Sequence, residues 1–202
     1  NKVSINDILG HKIVIFSFGM RGKTESSIDK RSLALRQLFT GYLIMLIANY
    51  NKSVLGRLTA VFLEELQRFM NHESSGQIVN DIVSGGRKRN MITFLITNSP
   101  LQLLDLLEED DKSDLSKHTK AIKNNIQGLI LGKLKDRTSE RIVQSFPEIS
   151  ECLPELELIN KDPDFKYCFL VHYRGESSIV KFEIPPSLIN TSMYVTRTDQ
   201  KE

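Results

Sequence analysis

The 202 residues carry 27 Lys and Arg against 25 Asp and Glu, a formal charge of +2, and 40% of them are apolar. That balance excludes a disordered chain and a globally polycationic one, and it allows one substantial domain with a packed core. The two cysteines, Cys152 and Cys168, form no C-x-x-C, so they read as buried thiols in a reducing compartment rather than as a disulfide frame.

The chain opens on Asn1, with no initiator Met and no signal-peptide pattern, and it reads as a piece of a longer protein. In chain order, Lys12–Ser17 is a short β-branched run between Gly10 and Gly19 and predicts a strand. Leu35, Leu38, Phe39, Tyr42, Leu43, Leu46 and Tyr50 then recur at helical spacing. Within that helix Tyr42 to Ala48 is the longest apolar stretch, seven residues against the about 20 that a membrane span needs. Asn49–Arg57 reads as a polar connection and Thr59–Leu63 as a buried strand. Glu64–Met70 begins a loop or helix, and Gly76–Ser84 continues helically until Gly85-Gly86, where left-handed glycines are expected to close it. Met91–Thr97 is a third strand, ended by Asn98-Ser99-Pro100, and Leu101–Leu107 is a helical turn or two. Glu108–Lys120 is charged and aperiodic and reads as a mobile loop. A fourth strand is expected at Leu129–Leu131 and a helix over Glu140–Leu153. Tyr167–Tyr173 and Ser178–Ile184 then form a β-hairpin around Arg174-Gly175-Glu176, with a frayed tail beyond Asn190.

Strands alternating with helices predict an α/β fold with a mainly parallel sheet, whose ligands bind beyond the carboxyl ends of the strands. After the second strand stand Glu64 and Glu65, which suit a magnesium-side carboxylate and a carboxylate that polarises an attacking water. Two acids are equally at home at a helix N-terminus. After the third strand stand Thr97 and Asn98, which can meet a phosphate oxygen or serve only as turn residues. Arg87-Lys88-Arg89 precedes that strand and offers an arginine for phosphoryl charge, or an ordinary basic loop.

The stretch FGMRGKT, Phe18 to Thr24, ends like a phosphate-binding G-x-x-x-x-G-K-[ST] loop. Its first glycine is missing, because Ser17 lies five residues before Gly22, and the shorter Gly19-to-Gly22 turn offers fewer backbone N–H groups to an anion. Gly22, Lys23 and Thr24 therefore read as a decoy. No H-E-x-x-H, zinc spacing or G-x-S-x-G elbow occurs. Lys117, Lys120 and Lys123, with Lys133, Lys135 and Arg137, form two modest basic groups that read as solvated faces or DNA contacts.

The runs TAVFLEELQRFM, GGRKRNMITFLITNSP and AIKNNIQGLILGKL together resemble the C-terminal half of the conjugative-transfer ATPases of type IV secretion systems. Those proteins belong to the HerA–FtsK branch of the RecA-like P-loop ATPases, and the likeness runs from about Lys12 to the closing hairpin. The resemblance implies a partial RecA-like domain over residues 1–190, carrying Walker B and sensor strands, with residues 191–202 as a flexible tail. It makes Glu65 the catalytic carboxylate and Glu64 the magnesium-side one, acting through water in place of the family's usual Asp. It gives Arg87 and Arg89 the arginine-finger stretch, and Asn98 the position of a sensor glutamine. ATP and magnesium would serve the full-length parent, with the phosphate cradle upstream and nothing tightly bound to this piece. The parent would be a cytoplasmic hexamer, peripheral to the membrane, working with secretion-channel and coupling proteins. Two other readings stay open: a non-catalytic assembly module descended from such an ATPase, and a self-contained nucleotide hydrolase built on Gly22-Lys23-Thr24.

Overall fold

The computed structural model describes residue 14 and residues 30–70, 72–108, 113–134, 138–165 and 167–182. The expected strand Lys12–Ser17, the Gly22-Lys23-Thr24 stretch and the tail beyond residue 190 lie outside the described residues. The chain divides into two compact units, Asn1–Ile126 and Gln127–Glu202.

The first unit begins with a long helix, α1 (Lys30–Ser53). It outlasts its apolar stripe, so the expected polar connection Asn49–Arg57 starts as its last turn, where the Ser53 hydroxyl donates to the Asn49 carbonyl. Asn51 Nδ2 then donates to Thr59 Oγ1 at 2.9 Å, which ties the helix end to the start of strand β1 (Thr59–Leu63). After β1 come a one-turn helix α2 (Leu66–Phe69), helix α3 (Glu73–Gly85), a 3₁₀ turn (Arg87–Arg89) and strand β2 (Met91–Leu95). The two strands pair in parallel, in register from Thr59↔Met91 to Leu63↔Leu95. Their alternation sends Val61, Leu63 and Met91 inward against Ile44 and Ala48 of α1 and Val79 and Ile82 of α3. Each such burial is worth about 1.5–3 kcal/mol, which is what holds the parallel pair under its helices. The buried Ser75 hydroxyl donates across the helices to the Gln37 side-chain Oε1, so both residues keep a hydrogen-bond partner at that interface. The outer face is different: Phe62 and Phe94 stack at 4.7 Å and stay exposed there, with Ile92 and Ile96 beside them.

Two expectations for this unit need correction. Gly86 is right-handed, at φ −55 and ψ −48, and the left-handed residue is Asn90 at the end of the 3₁₀ turn. What favours glycine at position 86 is space rather than handedness, since a Cβ there would sit a tight 3.0 Å from the Met91 carbonyl oxygen. The stretch read as a mobile loop is largely helical. Beyond helix α4 (Pro100–Glu108), residues Asp114–Asn125 form helix α5. Ser113 caps it, its hydroxyl accepting the Ser116 N–H at 3.1 Å. Its buried side carries Ser116 and Thr119 as well as Ile122. The two hydroxyls donate to the Leu106 and Leu115 carbonyls at 3.1 and 2.8 Å, so a polar sequence still packs without leaving donors unpaired.

The second unit is built on an antiparallel sheet, β3 (Gly128–Leu131), β4 (Cys168–Tyr173) and β5 (Glu176–Lys181), in the order β3-β4-β5. The expected fourth strand is thus present, but it runs antiparallel to its neighbour rather than extending a parallel sheet. The single helix expected over Glu140–Leu153 is broken. Helix α6 (Thr138–Ser145) stops before Pro147, which lacks an N–H and would clash with the preceding turn. A 3₁₀ stretch (Pro147–Cys152) leads to helix α7 (Leu153–Lys161), where Pro154 sits harmlessly in the first turn. Cys152, Leu156, Ile159, Cys168 and Leu170 form this unit's core, and both cysteines are free and buried, as the sequence led us to expect. Asn160 staples the unit, accepting the Leu134 N–H at 2.7 Å and donating to Ser139 Oγ at 2.9 Å.

Candidate functional site

Because β1 and β2 are parallel and in register, their carboxyl ends, Leu63 and Leu95, reach the same edge together. The pairing continues one step further. Ile96 N donates to the Leu63 carbonyl and Leu66 N donates to the Ile96 carbonyl, each at 2.9 Å. Between those two bonds the chain must turn from strand to helix within Glu64 and Glu65. Glu65 makes the turn in the left-handed region, at φ 53 and ψ 47, which costs a non-glycine residue roughly 1–2 kcal/mol. Such strain is retained where the surrounding structure holds it, and it fixes the direction in which the Glu65 side chain leaves the backbone. Glu64 is exposed and Glu65 half-buried.

Facing the acids is the turn after β2. Thr97 Oγ1 donates to Gln67 Oε1 at 2.8 Å, and Gln67 Nε2 donates to Asn98 Oδ1 at 3.0 Å. Ser99 completes the set, its N–H donating to Thr97 Oγ1 at 3.0 Å and its hydroxyl to Asn98 Oδ1 at 3.2 Å. Gln67 also lines an open cleft of about 370 Å³, floored by Met70, Leu103, Leu106 and Leu115 and edged by Gln102 and Asp105.

Glu64, Glu65, Thr97 and Asn98 therefore stand together at one edge, as the sequence implied. Gln67 joins them without any sequence signal, because only the parallel register brings it opposite residues 30 or more positions away. Arg87 and Arg89 stand elsewhere. They precede β2 at its amino end, and five strand residues separate them from the turn, roughly 16 Å of extended chain. Arg89 folds back along α3, with Nη1 3.4 Å from the Asp81 carbonyl oxygen and closely against Gly85, whereas Arg87 is exposed.

Among the described residues no group of three or more His, Cys, Asp or Glu converges as a metal cage. Magnesium needs none when phosphate oxygens and water fill most of its shell, and one or two carboxylates suffice. Glu64, exposed just beyond β1, offers one such carboxylate. Among the described residues no helix is long and apolar enough to cross a membrane. No family model, no curated protein and no solved structure matches this chain.

Proposed function

We propose that the chain is the back half of a nucleotide-hydrolysing motor domain of the conjugative-transfer, type IV secretion kind, built on a RecA-like sheet. The observation that carries this reading is the shared edge of β1 and β2, where two acids meet a hydrogen-bonded polar turn. In this reading Glu65 draws a proton from the attacking water and Glu64 holds magnesium through water. Bound magnesium would offset charge on the phosphates. Asn98 meets a phosphoryl oxygen. Arg87, exposed at the opposite end of β2, suits a neighbouring subunit's nucleotide rather than its own, which is the arrangement a hexameric parent requires. ATP, the hexamer, peripheral attachment to the cytoplasmic side of the membrane, contacts with channel proteins and any hold on DNA belong to the same proposal.

The test is a titration of the 202-residue chain with Mg-ATP, followed by calorimetry and by amide NMR shifts, beside Lys23→Ala and Glu65→Gln variants. Expected are weak shifts at residues 64–67 and 97–99, a dissociation constant on the order of 1 mM or weaker, and no turnover. Lys23→Ala should leave all of this unchanged. Binding that vanishes with Lys23 would make the FGMRGKT stretch a working phosphate loop and replace this reading. A complete lack of shifts would leave the non-catalytic assembly module standing instead.

A further inference from the structure

We propose that Gln67 is a positioning residue that commits Asn98 to donate, and so makes this edge a reader of anionic phosphoryl oxygen. The inference rests on the nucleotide reading above and assigns a role to a residue that the sequence left out of it.

A side-chain amide has one oxygen that accepts and one nitrogen that donates, and left alone it can present either. Only the nitrogen is useful against a phosphate, because the oxygen would repel it. At Asn98 the choice is already made. Its Oδ1 accepts from Gln67 Nε2 at 3.0 Å and from the Ser99 hydroxyl at 3.2 Å, which uses both lone pairs. Gln67 is in turn locked, because its own oxygen accepts from Thr97 Oγ1 at 2.8 Å. Thr97 Oγ1 accepts the Ser99 N–H at 3.0 Å on one lone pair and gives its own proton to Gln67. The donor order thus runs from the Thr97 hydroxyl through Gln67 to Asn98, with the Ser99 N–H holding Thr97 in place. What remains on the exposed Asn98 is the pair of Nδ2 protons. Gln67 lies two residues beyond Glu65, so one short helix fixes both the direction of the acid and the donor face opposite it.

Two substitutions separate this role from simple packing. Gln67→Met keeps the stem and removes both hydrogen bonds. Asn98 then samples both orientations, and the apparent Mg-ATP affinity falls about twofold, as expected when half the population is competent. Gln67→Glu still accepts from Thr97 but has no amide proton for Asn98 Oδ1. It draws the Asn98 Nδ2 protons inward, and affinity falls on the order of tenfold. The added negative charge could weaken ATP binding by itself, so the deciding readout is taken without ligand. The Asn98 Nδ2 protons should exchange quickly with water in the native chain and become protected in Gln67→Glu. Thermal unfolding of both variants checks that the unit stays folded. Unchanged Asn98 exchange, with strand-end Mg-ATP shifts equal in all three proteins, overturns the positioning role and leaves the nucleotide reading intact. Absence of those shifts in the native chain removes the nucleotide reading and this inference with it.

Discussion

In the parallel pair β1–β2 both strands arrive at one edge pointing the same way, so the residues just past each strand are collected in one place. In the antiparallel β3–β4–β5 sheet the chain reverses after β4, and the residues beyond that strand are spent on the turn. The hairpin shows this plainly. Arg174 and Gly175, at φ 53 and 85, form the two-residue loop with positive φ that matches strand twist, and the turn returns the chain directly into β5. Glu65 has the same φ of 53, yet nothing about a hairpin demands it there. The same backbone distortion is structural in one unit and, in our reading, serves a site in the other. Antiparallel strands thus yield a closed scaffold, and parallel strands yield a polar edge.

The largest expected effects test whether each unit depends on its own core. Ile82→Ala in the first unit and Leu156→Ala in the second, 1% and 0% exposed, should each cost about 2–5 kcal/mol in denaturant unfolding. A loss under about 1 kcal/mol at either would mean that the core there is misassigned. Next comes Gly41→Ala in α1. Alanine gains about 1 kcal/mol of helix propensity, but its Cβ would lie 2.2 Å from Ile78 Cγ2 of α3. The clash should win, with a net cost of about 1–3 kcal/mol that also separates α1 from α3. Then the two left-handed residues can be set against each other. Arg174→Asn and Glu65→Gly should each stabilise by about 1 kcal/mol, since asparagine and glycine accept positive φ. Only Glu65→Gly should alter the Mg-ATP shifts at the strand ends.

The smallest effect concerns Asp114 at the start of α5. The Lys117 ammonium hydrogen-bonds it at 2.7 Å and attracts it, which holds its carboxyl below the ordinary aspartate value of 3.8. A lowered folded value means that this stabilisation is present above the unfolded value and is lost as pH falls through the folded one. Both partners are more than half exposed, so the contribution is slight and screened by salt. Melting curves from about pH 5 to about pH 2 should show Asp114→Asn with a flatter dependence than the native chain, and the two should converge in about 1 M salt.

The strands were the most legible part of the sequence, because TAVFL, MITFL and CFLVHY are apolar or β-branched runs with clear punctuation. Helix α5 was not legible. Its buried side uses Ser116 and Thr119, and composition alone cannot reveal that their hydroxyls find carbonyls. The spacing of Ile142, Val143, Phe146 and Ile149 suggests one helix, but Pro147 falls inside it, and a mid-helix proline costs about 3 kcal/mol. At the candidate site the acids and Asn98 could be named because strand ends are where such sheets act. Gln67 could not, because its partners are set by register across two strands rather than by neighbours in sequence.

The single residue Ile96 is clasped from both sides, giving its N–H to Leu63 and its carbonyl to Leu66. Mechanically this is a rivet through the joint where strand, acids and short helix meet. The two bonds tie the residue before the Thr97-Asn98 turn directly to both ends of the segment that carries Glu64 and Glu65. Opening that joint breaks both bonds together, so the amides of Ile96 and Leu66 should exchange with solvent in the same step.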